Sequence, residues 1–183
     1  MIHAIAVSLV LHLFDAASVP APVANKAKAE LARVYRDIGV GVEWLPPDEP
    51  HVHRPDEIHV ILIPYETGGL QQKPRAVLGA ALRTPHGTKV AYIFYRRVEA
   101  EAAEYAVSPA FVLACAIAHE IGHLLLPRGI HQDGHSATGL MRPTWNRDDF
   151  IRADRGQLRF DDDQATQILQ TFVEHQGGDG ARQ

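Results

Sequence analysis

A single cysteine, Cys115, among 183 residues rules out any intrachain disulfide. Its place in an apolar run marks it as a buried structural thiol rather than a nucleophile. Basic runs are missing too. Eighteen Lys and Arg stand against 22 Asp and Glu, for a net charge of −4, and no cationic stretch exists for nucleic acid to settle on. No apolar stretch is long enough to cross a bilayer. The N-terminal run is broken by His12 and Asp15, so no stable membrane association is expected. No Lys or Arg precedes Lys26, so the basic start of an export leader is lacking, and alternation from Ile5 to Phe14 better fits a strand that opens the fold. Internal repeats are also absent. What remains is ordinary globular composition, 46% hydrophobic and 22% charged, which at this length predicts one domain over residues 1–176 and a flexible tail over 177–183.

The informative string is AIAHEIGHLLLP. His119, Glu120 and His123 lie in a segment, Ser108 to Leu126, whose other positions are small or apolar. Burying two imidazoles and a carboxylate in such surroundings is unfavourable unless something pairs with them, and a Zn²⁺ ion would be that partner. Ser108 and Pro109 predict a helix start, and Pro127 predicts its stop. On that helix a four-residue spacing places both histidines on one face, so their ring nitrogens can converge on one metal, with Glu120 a step aside to work on water. A catalytic zinc normally takes a third protein ligand. PRGIHQDGHSATGLMRPTW offers two histidines, His131 and His135, either of which must return to the metal on a loop turning at Gly129 and Gly134. Asp133 reads as a turn residue before Gly134.

These motifs resemble the metzincin zinc peptidases, and the matrixin branch most. His119-Glu120-Ile121-Gly122-His123 is similar to the metzincin helix motif, His135-Ser136 to the third ligand with its serine, and Leu140-Met141-Arg142-Pro143 to the methionine turn, with Trp145 at the aromatic position beyond. HEIGHLLL followed by HSxxGxMRxxW is also similar to small, largely uncharacterised bacterial proteins of this type. The resemblance favours His135 over His131. It departs in one respect: the positions where metzincins carry a glycine and the third histidine are Leu126 and Gly129, so the turn is enlarged and His135 lies twelve residues past His123. The resemblance implies a zinc metallopeptidase in which His119, His123 and His135 hold Zn²⁺ and Glu120 is the general base. It further implies a methionine packed under the site, and an edge strand (LGAALRTPHG looks like it) that pairs with peptide or protein substrate. Relatives are often exported, so the compartment stays open, as does the oligomeric state.

Elsewhere, Pro22 to Ile38 reads as an amphipathic helix ended by Gly39, and Val40 to Leu45 as a strand. A Pro-rich loop follows, whose His51 and His53 are read as exposed and unliganded. Glu57 to Pro64, Ala76 to Leu82 and Thr88 to Arg96 read as strands, the second of edge character. Glu99 to Tyr105 leads into the active-site helix. Asn146 to Arg159 reads as a polar connection, and Asp161-Asp162-Asp163 as the acidic start of a final helix running to about Val173, a better reading than calcium binding. The expected class is therefore α+β, and the resemblance implies a metzincin-like zincin domain with a mixed, twisted five-stranded sheet, an active-site helix, a methionine turn and a C-terminal helix. Two other functions are compatible with the motif. One is a zinc-binding scaffold without catalysis, with His131 and His135 both closing the site. The other is a gluzincin-like hydrolase using Glu174 as last ligand.

Overall fold

The computed structural model describes residues 7–46, 57–68, 74, 76–127 and 135–178, the side chains of 174–178 excepted. Its elements run β1 (Val7–Asp15), α1 (Ala21–Arg36), β2 (Val40–Leu45), β3 (Ile58–Ile63), β4 (Gly79–Arg83), β5 (Lys89–Phe94), α2 (Tyr95–Tyr105), α3 (Pro109–Leu125), α4 (Arg147–Asp154) and α5 (Asp162–Gly178). The class is α+β, with one mixed five-stranded sheet and five helices.

The opening strand ends up near the middle of the sheet, whose order is β2-β1-β3-β5-β4. β1 pairs in parallel with β2 on one side and β3 on the other, which requires the crossover that α1 supplies. β3 and β5 are also parallel, and β4 folds back antiparallel on β5 through the turn at Thr84–Thr88. Alternation explains the burial. Leu9 and Leu11, Val60 and Leu62, and Ala91 and Ile93 join the core against the helices, while His59 and Ile61 are only half buried. α1 contributes Ala27, Leu31, Val34 and Tyr35, at three- and four-residue spacing. The buried Tyr35 hydroxyl donates to the Ala118 carbonyl at 3.2 Å, joining α1 to the segment just before His119.

α3 is the central helix. Of its 17 residues only Pro109 and His123 are not buried, as a sequence apolar all round requires. Pro109 occupies the first turn, as predicted. Ser108 sits at the N-cap position, but its side chain makes no capping bond; its carbonyl accepts from Phe111 instead. At the other end Leu126 is extended before Pro127. Two carbonyls of the last turn are taken up by side chains from elsewhere, Leu124 by Arg83 of β4 and Leu125 by Thr171 of α5. Cys115 is buried on this helix, and burial pushes its thiol pKa up to about 12.

Four expectations need correction. The strand expected over Thr88 to Arg96 ends at Phe94, and Tyr95 to Arg97 open α2, because Tyr95, Val98 and Ala102 recur with helical spacing and are buried together. The connection over Asn146 to Arg159 contains α4, started by a reciprocal capping box in which Asn146 accepts from the Asp149 backbone and the Asp149 carboxylate accepts from that of Asn146. α5 continues past Val173 to Gly178, so Gly177 and Gly178 belong to a helix rather than a tail; 179–183 lie outside the described residues. β4 begins at Gly79, three residues later than Ala76. The acidic triplet does start a helix: Asp161 and Gln164 cap it reciprocally at 2.8 and 3.1 Å. Among the described residues no helix is long and apolar enough to cross a membrane.

Candidate metal centre

α3 presents His119 and His123 one turn apart, and their Nε2 atoms approach to 3.0 Å. His135, arriving on the loop after the helix, closes the group. Its ring lies 5.2 Å from that of His119 and 4.8 Å from that of His123, and the ligand atoms of the three lie within 4.8 Å of one another. Three imidazoles so placed can hold a metal ion, and among the described residues no other group of His, Cys, Asp or Glu does so. The structure thus brings together the three histidines expected from the sequence. His131, Asp133, His51 and His53 lie outside the described residues, as does the side chain of Glu174.

The first imidazole is fixed with particular care. The Leu140 carbonyl lies 2.9 Å from His119 Nδ1. A carbonyl only accepts, so Nδ1 carries the proton and Nε2 keeps its lone pair toward His123 and His135. The indole of Trp145 meets the same ring edge-on at 5.3 Å. Burial lowers the His119 pKa to about 3; His123 and His135 lower it too, against the raising effect of the Leu140 hydrogen bond. At neutral pH the ring is uncharged, which is the form that ligates.

Leu140 and Met141 form a turn beneath the histidines, both wholly buried. The turn is tied at two points: Ser136 N–H donates to the Met141 carbonyl at 2.8 Å, and Leu140 N–H to that of Arg159 at 2.9 Å. The glycine between Glu120 and His123 on α3 belongs to this arrangement. A Cβ at Gly122 would lie 2.5 Å from Met141 Sδ and 3.1 Å from Phe160, so the helix comes this close to the turn only without a side chain there.

Above the helix, Glu120 is buried against the start of β4. A Cβ at Gly79 would fall 2.7 Å from Glu120 Cγ and 2.9 Å from its Oε1. Sequence reasoning missed this contact, although a glycine inside a strand pattern is a known sign of close approach. The carboxylate and the three histidines all line one cleft of about 1350 Å³, with β4 as one wall and Arg142 to Trp145 as part of the other. As the last strand of the sheet, β4 has one side without a strand neighbour among the described residues. Arg142 also escaped notice as a functional residue; it pairs at 2.6 Å with the buried Asp149.

A cleft with three convergent imidazoles and one carboxylate has the parts for metal binding and for proton transfer beside the metal. No protein-family model matches the chain, and no curated protein matches it significantly.

Proposed function

We propose that the chain is a zinc-dependent peptidase of the metzincin kind, and the convergence of His119, His123 and His135 beside Glu120 is the observation that carries the reading. The donor set fits zinc. Imidazole nitrogens are among its preferred ligands, three protein ligands are the usual number in its catalytic sites, and the His119 ring is already neutral with Nε2 available. When bound, the ion would supply Lewis acidity, bringing the pKa of water toward neutrality and polarising a substrate carbonyl.

The chain's own residues do the rest. Leu140 holds His119 in one tautomer and Trp145 backs its ring, so the ligand does not have to reorganise. Glu120 takes a proton from the attacking water at its carboxylate and returns it to the leaving nitrogen as the amide C–N bond breaks. Gly79 limits where that carboxylate can lie. β4, open on one side beside the histidines, would hold an extended peptide by strand addition, which favours a polypeptide over a small ester or sugar.

The test combines zinc analysis with digestion of a broad peptide library. Wild-type protein should carry about one zinc per chain and cleave peptides in a chelator-sensitive way. Glu120→Gln should keep its zinc and lose about a hundredfold or more in turnover. Folded wild-type protein that refuses zinc, or a Glu120→Gln variant as active as wild type, would sink the proposal.

A further inference from the structure

The loop that orients His119 has little regular structure, so something must hold it. His119 is held by Leu140 through a hydrogen bond and by Trp145 through a ring contact. On the N-terminal side the loop is anchored by the Ser136–Met141 and Leu140–Arg159 backbone bonds. On the C-terminal side one buried carboxylate makes the connection. Asp149 Oδ2 accepts from the Arg142 guanidinium at 2.6 Å and from the Asn146 backbone at 3.0 Å. Arg142 is two residues past Leu140, and Asn146 is the residue after Trp145, so this one oxygen holds both ends of the segment that carries Trp145 and that begins two residues after Leu140. Phe150, next to Asp149 and wholly buried, meets the Trp145 indole at 5.9 Å and backs it from behind.

We infer that Asp149 is a positioning residue for the histidine cluster, acting through Arg142 and Asn146 to fix the Leu140 carbonyl and the Trp145 indole around His119. The inference rests on the zinc reading above. A buried charge with two hydrogen bonds is demanding to accommodate, and removing the carboxylate would leave Arg142 without its partner. Arg142 is only part-buried, so it would then turn to solvent and release the loop. Outer partners of this sort typically govern metal affinity by tenfold to a hundredfold.

The experiment measures zinc dissociation constants by chelator competition, well below the unfolding temperature, together with the visible absorption of the cobalt(II)-loaded protein. Asp149→Ala and Arg142→Ala should each weaken zinc by about tenfold to a hundredfold and alter the cobalt spectrum. The double variant should be no weaker than the worse single, and Arg142→Lys should recover part of the loss. Arg33→Ala supplies the comparison. It removes a hydrogen bond from α1 to Ala153 of α4, the helix that carries Asp149, so it should lower the melting temperature and leave the zinc constant unchanged. Folded Asp149 or Arg142 variants with wild-type zinc constants and spectra would overturn the inference. If Asp149→Ala fails to fold, Arg142→Ala decides alone. Wild-type protein that binds no zinc would instead bring down the metal reading itself, a distinct result.

Discussion

Gly122 and Met141 are mutually dependent: the helix residue has no side chain because the turn residue's sulfur already occupies that space, 2.5 Å from where a Cβ would stand. Met141 is wholly buried, so it has no solvent to retreat into. A Gly122→Ala substitution should destabilise the protein by about 1–3 kcal/mol, the usual range for overpacking a filled core. Truncating Met141 to Ala in the same chain should relieve the clash, so the double variant loses less than the two single losses added together. Urea denaturation of the four proteins measures the coupling; strict additivity would refute the steric account.

The Gly79 contact leads to a different expectation, because on the proposed peptidase reading it touches chemistry more than stability. An added methyl would lie 2.6 Å from the Tyr92 carbonyl and 2.7 Å from Glu120 Cγ, so either β4 moves off β5 or the carboxylate swings aside. Displacing a catalytic group by about 1 Å is worth on the order of a hundredfold in rate. Gly79→Ala should therefore lower kcat by about that factor with zinc content intact, as steady-state kinetics beside metal analysis would reveal. Loss of zinc with it would mean that the strand braces the histidines instead.

Acid should act on the metal-free protein through His119. Its pKa falls from 6.5 to about 3 on folding, chiefly by burial, so between those values the unfolded chain binds a proton that the folded chain refuses. Stability from this group is complete above about pH 6.5 and declines as pH falls toward 3. Denaturation midpoints of chelator-treated protein should drop between pH 7 and pH 5, before most carboxylates titrate, and His119→Asn should flatten that slope. A wild-type midpoint constant over this interval would contradict the assignment.

How far the chain could be read in advance depended on whether a feature was local. α3 was legible because Pro109 and Pro127 bracket an apolar run interrupted only by His119, Glu120 and His123, and the four-residue histidine spacing is a helical statement. β2 was legible to the residue, bounded by Gly39 on one side and Pro46 on the other. His135 could be suggested by its neighbours alone, since the loop that returns it has no period. α4 was missed because its string is short and polar, and only the Asn146–Asp149 capping pair, recognisable once seen, announces it. Tyr95 and Arg96 were assigned to β5 because both suit a strand, yet burial of Tyr95, Val98 and Ala102 on one helical face decided otherwise. The approach of Gly79 to Glu120, the grip of Leu140 on His119 and the Arg142–Asp149 pair are distances across the fold, and no window of sequence contains them.

The edge-on contact of Trp145 with His119 gives the molecule a built-in optical probe. Only two tryptophans are present. The other, Trp44, stands on β2, the sheet edge opposite β4, under the ammonium group of Lys28. Indole emission responds to whatever its neighbour does. Loading of the imidazole cluster should therefore be visible in the native fluorescence of the unlabelled chain, and replacing Trp44 with Phe would leave that signal uncontaminated.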